Sequence, residues 1–206
     1  MRWPALLRPA CPKSIRVKVR LCLIRHFLPE VAPGLCYGQT DLSLKIAVDE
    51  DQVRIGETRR RMGQYVTDAP VFTSPLRRCH ELALELTPTP IIDSRLAELN
   101  FGDWEMQTWD AIGPQALDAW AADIAGFRPP GGETGFELQA RALNWLGEIS
   151  ACHEQAVVVT HAGVMRALQA HHQALPGKQW LDLRYDHGEI LCLDFTLGQI
   201  AAAPVQ

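Results

Sequence analysis

Two short apolar runs, each closed by a histidine, set the tightest limits on what this chain can fold into. Leu21-Cys22-Leu23-Ile24-Arg25-His26 and Val157-Val158-Val159-Thr160-His161 are strand-length and rich in aliphatic and β-branched residues. Runs of this kind read as parallel strands covered on both faces. In open α/β sheets ligands bind outside the carboxyl ends of the strands, so both imidazoles should face one crevice. Arg25 directly precedes His26. Ala162-Gly163, after His161, reads as the opening of a helix whose free amides attract anions. Two histidines, an arginine and a helix N-terminus together suggest a phosphate site.

The stretches between these runs fill in an α/β pattern. Residues 48–66 read as a charged surface helix with Val48, Ile55, Met62 and Val66 on one stripe. Val71-Phe72-Thr73 is a short strand feeding Ser74-Pro75, a helix start with serine as N-cap and proline at the first helical position. Leu76, Cys79, Ala83 and Leu86 follow at helical spacing, and Ile91-Ile92 is a further strand. Residues 100–132 hold Trp104, Trp109 and Trp120 and end in Pro129-Pro130-Gly131-Gly132, which reads as a helical insert capping a cleft. Thr134 and Glu137 match a capping box ahead of a helix that buries Leu138, Ala142, Trp145 and Ile149. Ile190 to Phe195 reads as an antiparallel edge strand. The expected fold is a three-layer α/β sandwich, a mostly parallel mixed sheet with helices on both faces.

Length and charge narrow the function. At 206 residues and 47% hydrophobic the chain suits one well-buried domain, expected over 19–206. Its formal charge of −4 is unevenly spread: residues 1–20 hold six Lys/Arg and no acid, leaving −10 on the rest. Such a body lacks the basic footprint that nucleic acids require, so no nucleic-acid partner is expected. Residues 1–18 read as a basic, loosely attached extension, without an apolar stretch long enough for a secretory segment or a membrane span. The six cysteines form no Cys-x-x-Cys pair, and Cys22 and Cys192 lie inside strand runs. Reduced core thiols in a cytoplasmic protein are expected, as a monomer or homodimer.

Read in order, Leu23-Ile24-Arg25-His26, Ser74-Pro75-Leu76-Arg77-Arg78-Cys79, Glu98 to Glu105 and Val159-Thr160-His161-Ala162-Gly163 resemble the motifs of the histidine phosphatase superfamily, the phosphoglycerate-mutase-like enzymes. Within it, Gly34 to Asp41 looks most like the α-ribazole phosphatase branch, which acts in cobalamin assembly. The resemblance implies a phosphoglycerate-mutase-like fold and hydrolysis of small phosphate monoesters through a phosphohistidine, with neither metal nor cofactor. His26 would be the nucleophile, its other nitrogen bonded to a backbone carbonyl or similar acceptor. His161 would stabilise the transition-state charge, and Glu98 would supply the proton to the leaving alkoxide.

Phosphate ester hydrolysis is accelerated mainly by charge placed around the transferring group. The sequence shows no His-Glu-x-x-His, Asp/His ligand cluster or P-loop, which leaves arginines and imidazoles. Arg25 and a second arginine from the turn at Ser74 could each grip phosphate as a fork; the family resemblance assigns that second place to Arg78, which leaves Arg77 as a surface charge. Gly38 and Gln39 either touch phosphate through an amide or form a plain turn, and Ala162 opens the anion-attracting helix. Glu105 reads mainly as a lid residue, Glu133 as part of a helix-cap turn, and His80, His153 and His187 as surface residues. Phe27-Leu28-Pro29-Glu30 replaces the family's small glycine and polar pair, a place where a bulky side chain could narrow the pocket. The rival readings are a broad-specificity sugar-phosphate phosphatase, a mutase, and a phosphate-binding protein without catalysis. Arg128 is the lone basic residue of the 100–132 segment, which disfavours the mutase.

Overall fold

The computed structural model describes residues 18–45 and 48–201. The basic extension expected over 1–18 lies outside them, apart from Lys18, which already belongs to the first strand.

Five strands, β1 (Lys18–Arg25), β2 (Val71–Thr73), β3 (Ile91–Ile92), β4 (Gln155–Thr160) and β5 (Ile190–Thr196), form one sheet in the order β3-β2-β4-β1-β5. The first four in that order are mutually parallel, and β5 runs antiparallel at the edge. Strand periodicity divides the core. Leu21 and Leu23 of β1 and Val158 of β4 pack into one cluster, under helices α5 (Gly135–Ser150) and α6 (Ala162–His172). Cys22, Ile24, Val157 and Val159 point into the other, under α1 (Val48–Gly63) and α2 (Arg77–Leu86). Side chains buried on both faces are what make β1 and β4 continuous apolar runs.

Between β3 and α5 the chain forms a 3₁₀ turn at Ser94–Leu96, another at Gly102–Trp104, and two short helices, α3 (Trp109–Ile112) and α4 (Pro114–Ala122). Trp109 and Trp120 stack at 6.3 Å, with Phe101 edge-on to both. This segment is tied to the loop after β1. Trp109 N donates to Gly34 O at 3.0 Å, and Cys36 exchanges backbone bonds with Gln107 and Met106. The capping box at Thr134 and Glu137 is formed as expected.

Two expectations are corrected. The helix after β2 begins at Arg77 with Leu76 as its N-cap, two residues later than expected; Ser74 Oγ accepts from Leu76 N at 3.3 Å and also bonds His161. The cysteines are not all reduced: Cys22 and Cys192 are joined by a disulfide. The antiparallel register sets Cys22 opposite Cys192, with Cα atoms 4.3 Å apart, the close approach of a pair that exchanges no ladder hydrogen bonds. A separation of 170 residues hides that pairing from sequence spacing. The compartment argument from reduced thiols therefore does not hold for this pair. Cys36 and Cys79 are buried free thiols. Among the described residues no helix is long and apolar enough to cross a membrane.

Candidate active site

After β1 the chain leaves toward β2, and after β4 it leaves toward β5 on the other side, so the sheet's switch point lies between the neighbouring ends of β1 and β4. Arg25 pairs with Thr160, which puts His26 and His161 side by side just beyond the ladder. Their ring centroids are 5.1 Å apart, and both residues are almost fully buried.

His26 Nδ1 lies 2.6 Å from the carbonyl oxygen of Phe27. A carbonyl only accepts, so Nδ1 carries the proton and Nε2 keeps its lone pair. Arg78 Nε donates to that Nε2 at 3.3 Å. Burial, reinforced by the adjacent Arg78 guanidinium, pushes the His26 pKa well below its usual value, and the same two causes act on His161. His161 Nε2 shares a 2.8 Å hydrogen bond with Ser74 Oγ, and the Cys79 sulfur lies 3.4 Å from the same nitrogen.

Arg78 is wholly buried near the start of α2. The loop after β1 holds its guanidinium: Nη1 donates to Thr40 O at 2.9 Å and Nη2 to Gly38 O at 2.5 Å. Each of these nitrogens retains one further N–H. Arg25 Nη1 donates to Tyr185 O at 2.6 Å, while its buried Nε has no protein partner. Arg77 stays at the surface beside Glu81, as expected.

Glu98 enters from the turn after β3. One carboxylate oxygen accepts from Leu99 N at 2.8 Å, the other from Gly163 N near the start of α6 at 3.2 Å. Its backbone is clamped from behind: Arg141 donates to the carbonyls of Arg95, Ala97 and Glu98 and pairs with Glu133 at 2.7 Å. Glu133 is thus more than a turn residue; it holds the arginine that fixes the Glu98 segment.

Gly38 is a packing point. A Cβ there would lie 2.0 Å from Leu99 O, so only glycine lets the loop pass. Gln39 does not offer its amide to the crevice, because Gln39 N donates to Glu105 Oε1 at 2.8 Å and its side chain to Glu98 O at 3.0 Å. Glu105 also accepts from the amides of Thr40 and Phe101 and from the Thr40 hydroxyl. It is the residue that shapes the loop around Arg78. Ala162 is the first residue of α6.

A cavity of about 520 Å³ opens beside Arg25, His26, Tyr37 and Glu98. Leu28, Pro29, Val31, Leu35 and Trp109 give it apolar walls, with Lys45 at its margin. Phe27 is not among the lining residues. Its ring is buried beneath the Arg54 guanidinium, 4.3 Å from its centroid, so the bulky replacement after His26 leaves the pocket through its side chain and serves it through its carbonyl. Two site neighbours had no sequence signal. Tyr37 lies under Arg78, with 5.5 Å between the guanidinium and its ring. His187, expected at the surface, is half-buried with its ring 5.4 Å from that of His26. Among the described residues no group of three or more His, Cys, Asp or Glu side chains is placed to hold a metal ion.

Comparison with known proteins agrees with this arrangement. Residues 21–204 match the histidine phosphatase superfamily, branch 1. Glucosyl-3-phosphoglycerate phosphatase of Mycolicibacterium vanbaalenii is 30% identical over 178 residues, covering 78% of this chain and 77% of the relative. The native structure of a mycobacterial glucosyl-3-phosphoglycerate phosphatase superposes with a TM-score of 0.76 at 26% identity, covering 88% of this chain and 92% of the other. A putative α-ribazole-5′-phosphate phosphatase of Escherichia coli superposes with a TM-score of 0.71 at 26% identity, covering 87% and 91%. With two strand-end histidines, buried Arg78 and Glu98 gathered at one switch point, this phosphatase belongs to the histidine phosphatase superfamily.

Proposed function

We propose that the chain hydrolyses small phosphate monoesters without a metal ion, through a phosphohistidine at His26. The observation that carries this reading is the Nδ1 hydrogen bond to Phe27 O, which leaves the Nε2 lone pair beside Arg78. An incoming phosphoryl group takes over the N–H that Arg78 Nε directs at Nε2 and receives the unpartnered Nε of Arg25. The Nε2 lone pair then bonds to phosphorus as the bond to the ester oxygen breaks. Glu98 gives its proton to the departing alkoxide, and His161 and the start of α6 at Ala162 face the equatorial oxygens. In the second half, Glu98 takes a proton from water, the water oxygen bonds to phosphorus, and the P–N bond breaks to release phosphate.

The alcohol part of the substrate occupies the cavity past Glu98. Its apolar walls favour α-ribazole 5′-phosphate, which carries an aromatic base, over glucosyl-3-phosphoglycerate. Rapid quenching of labelled substrate into alkaline detergent tests the chemistry. Label should become bound to wild-type protein in an acid-labile, alkali-stable form, disappear in His26→Ala, and be unaffected by a chelator. Turnover that a chelator abolishes, or turnover without bound label, would overturn the mechanism. Turnover rates compared across α-ribazole 5′-phosphate, glucosyl-3-phosphoglycerate and the phosphoglycerates would rank the substrates.

A further inference from the structure

The mechanism above leaves one half-buried imidazole beside His26 unused. His187 lies in the loop ahead of β5, and that loop is docked onto the site by its backbone. Gly188 N donates to Arg25 O and Arg25 N to Glu189 O, both at 3.0 Å. Arg25 Nη1 reaches Tyr185 O, and Arg54 Nη2 donates to His187 O at 2.9 Å while stacking over Phe27. Gly188 has a φ of 82°, and a Cβ on it would meet the Phe27 ring at 2.7 Å. These constraints hold the His187 ring 5.4 Å from His26. Its Nε2 is nevertheless buried without a hydrogen-bond partner, like the Nε of neighbouring Arg25. Buried polar atoms left without a partner on two residues of one site are costly in a native structure unless a ligand meets them.

We propose that His187 contacts the transferring phosphoryl group, its Nε2–H donating to a phosphoryl oxygen alongside Arg25 Nε. This rests on the phosphohistidine reading for the identity of the group, but the contact itself is one of anion binding. Burial, then the nearby Arg25, push the His187 pKa down to about 4, so the ring serves as a neutral donor in neutral solution. A neutral donor suits a site that must also keep His26 unprotonated.

Orthovanadate, a mimic of five-coordinate phosphorus, provides the test. Its inhibition constant is measured against p-nitrophenyl phosphate turnover for wild type and for His187→Ala, His187→Asn and His187→Gln, with thermal melts to confirm folding. A glutamine amide nitrogen reaches roughly where Nε2 sits, and an asparagine amide falls short. The alanine and asparagine variants should bind vanadate about 10- to 100-fold more weakly, the weight of one hydrogen bond to a charged acceptor. The glutamine variant should stay within a few-fold of wild type. Unchanged vanadate inhibition in His187→Ala, or a glutamine variant no better than asparagine in folded proteins, would overturn the assignment. Failure to trap phosphohistidine in the wild type would instead strike the catalytic reading, and vanadate would still report on His187.

Discussion

Gly163 offers a way to move the proposed acid without touching it. A Cβ on Gly163 would lie 2.1 Å from Glu98 Oε1, where real Cβ contacts stay beyond 3.0 Å, so the carboxylate must retreat by at least 0.9 Å. The next atoms are the Glu98 carboxyl carbon at 3.1 Å and Leu138 Cδ1 at 3.4 Å, so the strain falls on the end of one flexible, partly buried side chain. Retreat also breaks the 3.2 Å bond from Gly163 N. Against that loss, alanine within a helix is up to about 1 kcal/mol better than glycine, so Gly163→Ala should melt within about 1 kcal/mol of wild type. Catalysis should respond far more strongly. A misplacement of about 1 Å can cost about 100-fold, and a general acid contributes about 10²- to 10⁴-fold.

The leaving group separates this effect from general damage. An alkyl phosphate releases a basic alkoxide that needs the proton; p-nitrophenyl phosphate releases a stable anion that does not. For Gly163→Ala, first-turnover release should fall about 100-fold on glycerol phosphate and less than about 10-fold on p-nitrophenyl phosphate. Because Glu98 also activates water, phosphohistidine should build up on the second substrate. Rapid-quench kinetics on both esters measures this. Equal losses on the two, or an unchanged rate on the alkyl ester, would refute the role assigned to Glu98.

Glu105→Ala removes a carboxylate that accepts from the amides of Gln39, Thr40 and Phe101. It should cost about 1.5–3 kcal/mol in urea unfolding and raise KM, because the carbonyls holding Arg78 lie on the loosened loop. Gly38→Ala drives a Cβ to 2.0 Å from the Leu99 carbonyl, a backbone atom that cannot swing away. Overpacking of that kind should destabilise by about 1–3 kcal/mol or more, so a variant as stable and active as wild type would contradict the packing. Stability should also depend on pH through the buried imidazoles. The folded pKa values of His26, His161 and His187 lie below the ordinary 6.5, the last at about 4. As pH falls below 6.5 the unfolded chain therefore takes up protons first, and stability present above 6.5 is lost progressively toward 4. Urea midpoints should drop between pH 7.5 and 5; a flat or rising midpoint would contradict the burial of neutral rings.

The residues of the candidate site were legible where each sits at the end of a local pattern. His26 and His161 close apolar runs, and Arg78 follows a strand–turn–helix signal. Ile190 to Phe195 betrayed its antiparallel edge by imperfect apolar patterning. The misreadings share a different cause. Ser74 has the form of an N-cap and accepts from Leu76 N, but the helix starts at Arg77 and the same hydroxyl also bonds His161, 87 residues away. Cys22 and Cys192 meet through a register that spacing does not encode. His187 has no motif around it, and the β1–β5 pairing with the bonds from Arg25 and Arg54 brings it to His26.

The supporting residues were missed for a related reason, and it bears on how the site is held. Glu105 is an acid whose partners are mostly backbone amides, and Arg141 an arginine whose partners are three carbonyls and Glu133. Such interactions leave no trace in the sequence of the partner, because every residue except proline supplies an amide and every residue a carbonyl. Yet they fix the two segments that carry neither strand nor α-helix, Gly38 to Asp41 around Arg78 and Arg95 to Asn100 around Glu98. The histidines need no such help, since β1 and β4 set their positions through the ladder. The sheet therefore fixes His26 and His161, whereas Glu98 and the loop around Arg78 depend on charged side chains spent on backbone. Substitution of Glu105 or Arg141 should disturb proton donation and phosphate grip before it disturbs the alignment of the two imidazoles.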